Sequence, residues 1–372
     1  MDKRLRTIAI YLPQFHPIEE NNRWWGEGFT EWTNVVKAKP RFKNHYQPHL
    51  PSDLGFYDLR LPEVREKQVN LAKEYGIDGF CYYHYWFNEK RLLERPFEEV
   101  FESKKPDFPF CLCWANENWA RTWDGSDKQV LMQQEYSKND DIKHINYLLK
   151  YFKDERYIKV DGKPVFVFYK PDLFPDMRET LTTFRSEAKK EGLELYLCCF
   201  ERVLGWSGEQ ASKVGFDASI EFQPLSLSLR RYYDTKIKYN LLQRCALKAR
   251  KIWCKLNKKT YYGPDRVIDY SDFINFDLSQ QAKNYKCYPG VSPMWDNSSR
   301  RVGINATIFK NSTPQLFGKW YKGKSDQFKP YGKEENFIFI NAWNEWAEGN
   351  HLEPCQKWGR RYLEEIKKCQ KS

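Results

Sequence analysis

The chain has 372 residues, a formal net charge of +11 and 17% aromatic side chains, including 14 Trp and 24 Tyr. That length buries a full core and excludes a peptide-like scaffold that depends on staples. No stretch approaches the roughly 20 apolar residues of a membrane-spanning helix, and residues 1–7 lack the apolar run and cleavage site of a secretory signal.

The ten Cys lie in strand-like runs (Cys81, Cys111, Cys113, Cys198, Cys199) or are scattered, without repeated Cys-x-x-Cys pairs. They read as reduced core residues, and the chain as a cytoplasmic protein, soluble or peripheral. In chain order, short apolar or β-branched runs ending in polar or aromatic clusters predict strands at 7–12, 79–83, 109–113, 164–168, 193–200, 218–222, 287–293 and 337–341. Helical spacing recurs between them, at 63–75, 140–152, 177–191 and 315–322. Eight strands alternating with helices predict a parallel sheet closed into a (β/α)8 TIM barrel, one catalytic domain over residues 1–372 with long βα loops.

Chemistry in such barrels sits where strands end at the C-terminal face. The residues there are Tyr11, Gln14 and His16; Tyr83, His84 and Trp86; Trp114, Asn116, Glu117 and Trp119; Tyr169; Glu201; Glu221; Trp295 and Asp296; then Asn344, Glu345, Trp346 and Glu348. Glu345 and Glu348 follow the last apolar run three residues apart and are the predicted catalytic pair. Glycoside hydrolysis needs two neighbouring carboxyls, one ionised and one protonated; the spacing does not say which holds the proton. The alternative for this segment is a capping loop with solvent-facing glutamates. The other residues are predicted to bind substrate: Trp faces stack on a pyranose, Asn116 and Glu117 bond hydroxyls, and Arg121 meets an acidic sugar or a diphosphate.

The loop from 16 to 51 carries Trp24, Trp25, Glu27, Glu31, Trp32, His45 and His49, and its length marks it as functional. His45-x3-His49 has no nearby Cys, so no metal is predicted, nor any cofactor. Residues 225–262 hold 11 Lys or Arg against one Asp, net +10. Ile237, Leu241, Cys245, Ala249, Ile252, Trp253 and Leu256 recur there at helical spacing, which predicts a basic amphipathic helix inserted after the sixth strand. Such a helix lies on an anionic membrane surface, beside lipid-linked glycans, or packs on the barrel as a solvated helix. Nothing in the pattern indicates nucleic acid binding.

Several motifs in order resemble the WbsX-like glycosyltransferase family: residues 9–17 (AIYLPQFHP), 24–32 (WWGEGFTEW), 79–87 (GFCYYHYWF), 114–119 (WANENW) and the Asn344-Glu345-Trp346 loop. That family is placed in bacterial O-antigen and capsule clusters and is related to glycoside hydrolase family 99, the endo-α-mannosidases. The resemblance implies a polysaccharide or lipid-linked oligosaccharide substrate. It also implies a retaining mechanism, with Glu345 as base toward the substrate 2-hydroxyl and Glu348 as acid and then base at the leaving and accepting oxygens. Where those hydrolases often carry His in Asn-Glu-Trp-x-Glu-Gly, this chain has Ala347. A conventional sugar-nucleotide transferase fits less well, since neither an Asp-x-Asp motif nor a Gly-rich phosphate loop is found. The reading from another class is a non-catalytic glycan-binding or scaffold protein.

Overall fold

The run Phe337–Ile340 is apolar at every position and buried at every position, the signature of a strand covered on both faces. The same holds all round the sheet. The computed structural model describes residues 4–120, 130–236, 241–257, 264–301 and 305–371. Its barrel strands are Arg6–Tyr11 (β1), Gly79–Phe87 (β2), Phe110–Trp114 (β3), Lys163–Phe168 (β4), Tyr196–Glu201 (β5), Ala218–Glu221 (β6), Cys287–Tyr288 (β7), Gly290–Val291 (β8) and Phe337–Ile340 (β9). All neighbours pair in parallel, in the order β7-β6-β5-β4-β3-β2-β1-β9-β8.

Two short strands share the seventh position. Cys287 of β7 pairs with Ser219 of β6, and Gly290 of β8 pairs with Phe339 of β9, so the ring passes from one pair to the other. A Cβ on Gly290 would lie 2.1 Å from the Glu221 carbonyl oxygen; only glycine lets the chain cross so close. The eight-position parallel barrel predicted from the sequence is the fold observed. Helices Pro62–Glu74, Lys138–Phe152, Met177–Lys190 and Pro314–Gln327 fall on the four segments with helical spacing.

One boundary matters for function. β2 continues to Phe87, four residues past its predicted end, with every position buried. Successive side chains of a strand point to opposite faces, so the longer strand divides its aromatic cluster. Tyr83 and Tyr85 face the barrel interior, while His84 and Trp86 face the Lys138–Phe152 helix.

After β6 the described residues are helical at Leu227–Lys236 and at Leu241–Leu256, and residues 237–240 lie outside the described residues. The first packs through buried Leu229 and Tyr232, whose ring meets Phe273 and Phe276. On the second, Cys245, Ala249, Ile252, Trp253 and Leu256 are exposed and Cys254 is buried. Ile237 lies outside the described residues. No helix among the described residues is long and apolar enough to cross a membrane.

Candidate active site

A cavity of about 480 Å³ opens at the C-terminal ends of the strands, within the size range of small-ligand sites. Gln14, Glu117, Trp119, Tyr169, Trp295 and Glu348 line it, together with Arg202 and Arg300. Beneath it, Tyr85 receives a 2.8 Å hydrogen bond from Gln14 Nε2 and packs edge-on against Trp119. Tyr83 packs against Tyr169.

Arg300 is the electrostatic centre. It ends a 3-10 turn, Asn297–Arg300, capped by the Asp296 carboxylate through a 2.9 Å bond from Ser298 N–H. Its Nη2 lies 3.0 Å from Glu31 and 3.3 Å from Glu345, and its Nη1 lies 3.1 Å from Glu348. Three carboxyls around one guanidinium leave excess negative charge in a desolvated place, which favours retention of a proton. Burial, against the pull of Arg300 and with the help of Glu348 and Glu31, pushes Glu345 up to about 8. Glu348 is also raised by burial, again opposed by Arg300 and assisted by Glu31. Despite its own burial, Arg300 is held firmly protonated by the three acids.

Main-chain and side-chain ties fix the pair. Asn344 clasps the end of β1, receiving Leu12 N–H at 2.7 Å and donating to Leu12 C=O at 3.0 Å. Asp296 N–H donates to Glu348 C=O at 2.7 Å, joining the Arg300 loop to the glutamate loop. Glu31 is fully buried at the start of the short helix Glu31–Val35, and its N–H donates to Gln14 C=O.

Of the predicted residues, Gln14, Glu117, Trp119, Tyr169, Trp295 and Glu348 line this cavity, and Tyr83 and Glu345 lie against its wall through Tyr169 and Arg300. The others do not line it. Tyr11 points outward and donates to Gln68 at 2.8 Å. His16 is buried away from the cavity, and desolvation drops it to about 4. His84 meets His144 at 2.9 Å, Trp86 donates to Asp140, and Trp114 donates to the Trp86 carbonyl; all three fill the layer between barrel and helices. Asn116 latches two loops through Lys170 N–H and C=O. Strand parity turns Glu201 and Glu221 outward, where both pair with Lys283 and Glu221 also pairs with Lys324. Asp296 accepts from Gln47 at 2.6 Å and meets His45 Nε2 at 2.5 Å. Trp346 stacks on His351 and donates to Glu353, so with Asn344 it supports the loop rather than the cavity wall. Arg121 lies outside the described residues.

Arg300, Arg202 and Lys170 are site residues that the strand-end reading missed. Lys170 and Arg202 lie two residues past predicted strand ends, a signal used only for neighbouring positions, and Arg300 lies seven residues past one, beyond the reach of that signal. Metal-ligating side chains gather in two places among the described residues: His49, His351 and Cys355, and Glu201, Glu221 and Cys287, each set within 4.8 Å. In the second, Lys283 already supplies the cation. In the first, burial lowers both histidines.

The fold and site define a (β/α)8 barrel whose C-terminal face carries buried carboxyls gathered on one arginine. The chain belongs to the WbsX family: the family model described as "Glycosyltransferase WbsX" matches residues 7–366. It is 38% identical over 359 residues to proteins named "Uncharacterized protein WxcX" from two strains of Xanthomonas campestris pv. campestris. The match covers 96% of this chain and 48% of theirs, so the chain spans about half the length of those relatives. Among solved structures, a GH99 endo-alpha-mannosidase from Bacteroides thetaiotaomicron aligns with TM-score 0.57 at 14% identity, covering 99% of both chains. A "Glycoside hydrolase-like protein" aligns at TM-score 0.60 and 14% identity, over 98% of this chain and 93% of that one. At such identities the likeness is one of fold.

Proposed function

We propose that the protein is a carbohydrate-active enzyme of bacterial surface-polysaccharide assembly that transfers or cleaves a glycosyl unit with retention, using Glu345 and Glu348. The supporting observation is the shared grip of Arg300 on both carboxyls at the mouth of an aromatic-walled cavity. Glu345 takes the proton of the sugar 2-hydroxyl, whose oxygen attacks the anomeric carbon and closes a 1,2-anhydro ring. Glu348 protonates the departing oxygen. It then takes the proton of the acceptor hydroxyl, which opens the ring with a second inversion, and the 2-oxygen recovers its proton from Glu345. The two acids, both raised by burial, share one resting proton, and docking of the 2-hydroxyl and the leaving oxygen settles it on Glu348 within a pair that titrates as one unit.

The test is product analysis on α-mannoside-type and lipid-linked oligosaccharide donors. Wild type is expected to release or transfer sugar with the donor's anomeric configuration retained, and Glu348→Ala to lose that activity. If both behave identically on every donor, a glycan-binding scaffold becomes the better reading.

The basic segment after β6 completes the proposal with an anionic bilayer as its occupant. On the second insertion helix Ile252, Trp253 and Leu256 are 51%, 52% and 77% exposed, and exposed Lys248, Lys251 and Lys255 share the adjoining face. Apolar anchors flanked by lysines suit a negatively charged membrane surface, at about 1 kcal/mol per basic residue. Sedimentation with vesicles about one third phosphatidylglycerol is expected to pellet wild type, and neutral vesicles to leave it in solution. Replacing the three lysines with Glu is expected to weaken anionic binding at least about a hundredfold. Wild type remaining in the supernatant with anionic vesicles would remove this partner.

A further inference from the structure

Charge accounting within the cavity leads to the substrate. Lys170 is ion-paired with Glu117, and Arg300 is engaged by three carboxyls. Arg202 differs. It is the first residue after β5, where parity turns Phe200 and Arg202 inward and Glu201 outward. Its guanidinium carbon sits 4.0 Å from the Tyr169 ring centroid and 5.3 Å from that of Phe222. Among the described residues no carboxylate comes within ion-pairing distance of it, and its buried Nε has no hydrogen-bond partner. The backbone just beyond is pinned by Val203 N–H donating to Leu225 C=O at 2.7 Å.

Two aromatic faces hold the plane of the guanidinium and leave its donating edge toward the cavity that it lines. An arginine so placed is pre-organised for bidentate recognition of a planar or tetrahedral anion. Glu117 and Asp172 act on its charge only from a distance, so this desolvated guanidinium lacks a directly paired counterion. We propose that the substrate supplies that counterion: the glycan bears a carboxylate or phosphate group that pairs with Arg202, which makes Arg202 a specificity-determining residue. This rests on the reading of the cavity as a glycan site. Arg202 also acts electrostatically on Glu348, so the anionic group belongs to the sugar unit being processed or to its direct neighbour.

Calorimetric titration of the full chain separates the possibilities, with two charged probes and their neutral counterparts. Methyl glucuronide is compared with methyl glucoside for a carboxylate, and glucose 1-phosphate with glucose for a phosphate. At least one charged probe is expected to bind about tenfold or more tighter than its neutral counterpart, and whichever shows the larger gain names the source of the anion. Arg202→Gln is expected to abolish the gain, and Arg202→Lys to restore part of it, the readout being the ratio of charged to neutral binding within each variant. Thermal melting of each variant checks that it is folded.

Equal binding of charged and neutral probes to wild type would overturn the proposal and leave the glycan site standing. A gain that survives in folded Arg202→Gln would also overturn it, by moving the anion elsewhere. Absence of binding by every probe would instead remove the glycan site, and the anion proposal with it.

Discussion

Glu345→Gln is expected to lower turnover by about 10²- to 10⁴-fold, the contribution of a positioned acid or base, and at the same time to stabilise the protein at alkaline pH. The two effects have one cause. Burial and the neighbouring acids raise Glu345 to about 8 in the folded state, well above the usual carboxyl range. A group raised in this way contributes stability that is complete below its unfolded value and is lost as pH rises through its folded value. Wild type is therefore expected to lose stability between about pH 4.5 and pH 8 through this residue, on the order of a few kcal/mol and at most about 5. Gln cannot ionise and escapes that loss. Melting of both proteins at pH 5 and pH 8 checks it: the variant is expected to gain on wild type as pH rises. A constant difference across that range would mean that Glu345 is not perturbed. In kcat/KM the loss of the pair's shared proton is the alkaline limb of a bell; Glu348→Gln, which leaves Glu345 alone as the base, is expected to abolish that limb, the residual activity rising instead as Glu345 ionises.

Arg300→Met is expected to cost about 3–5 kcal/mol, the usual result of removing one partner from a buried ionic cluster. Three carboxyls would then face one another without a counterion. Because they escape by taking up protons, the loss is expected to be largest above pH 8 and to shrink toward pH 4, the reverse of a packing defect, which is nearly independent of pH. Activity is expected to fall with Glu345 and Glu348 both intact, since each is driven toward its neutral form and the base is lost. Denaturant unfolding of wild type and variant at the two pH values is the measurement. Equal destabilisation at both would show that Arg300 acts through packing alone.

Much of the barrel was legible because a strand buried on both faces needs an unbroken apolar run, and runs such as Phe337-Ile338-Phe339-Ile340 have few other uses. The ends of those runs located the mouth of the barrel, and with it Gln14, Trp119, Tyr169, Trp295 and the two glutamates. Strand parity was less legible. In Tyr83-His84-Tyr85-Trp86-Phe87 every residue suits a buried position, so the alternation that normally separates inside from outside is silent; the structure sends His84 and Trp86 to the helix layer. Glu201 and Arg202 repeat the lesson with consequences for chemistry. The acid drew attention as a candidate, yet it faces Lys283 outside the wall, and the arginine beside it lines the cavity.

Local order along the chain determined which residues form the eight barrel positions and that an acid pair stands at the last of them. These follow from short-range pattern, because burial on two faces and the termination of apolar runs are written within a few residues. Tertiary structure alone decided that Glu31, Arg300, Glu345 and Glu348 form one electrostatic unit, since these residues come from three separate loops. It also decided which candidates support the loops and which line the cavity, because that depends on how each strand is rotated in the closed ring, and the rotation is set by contacts with distant neighbours.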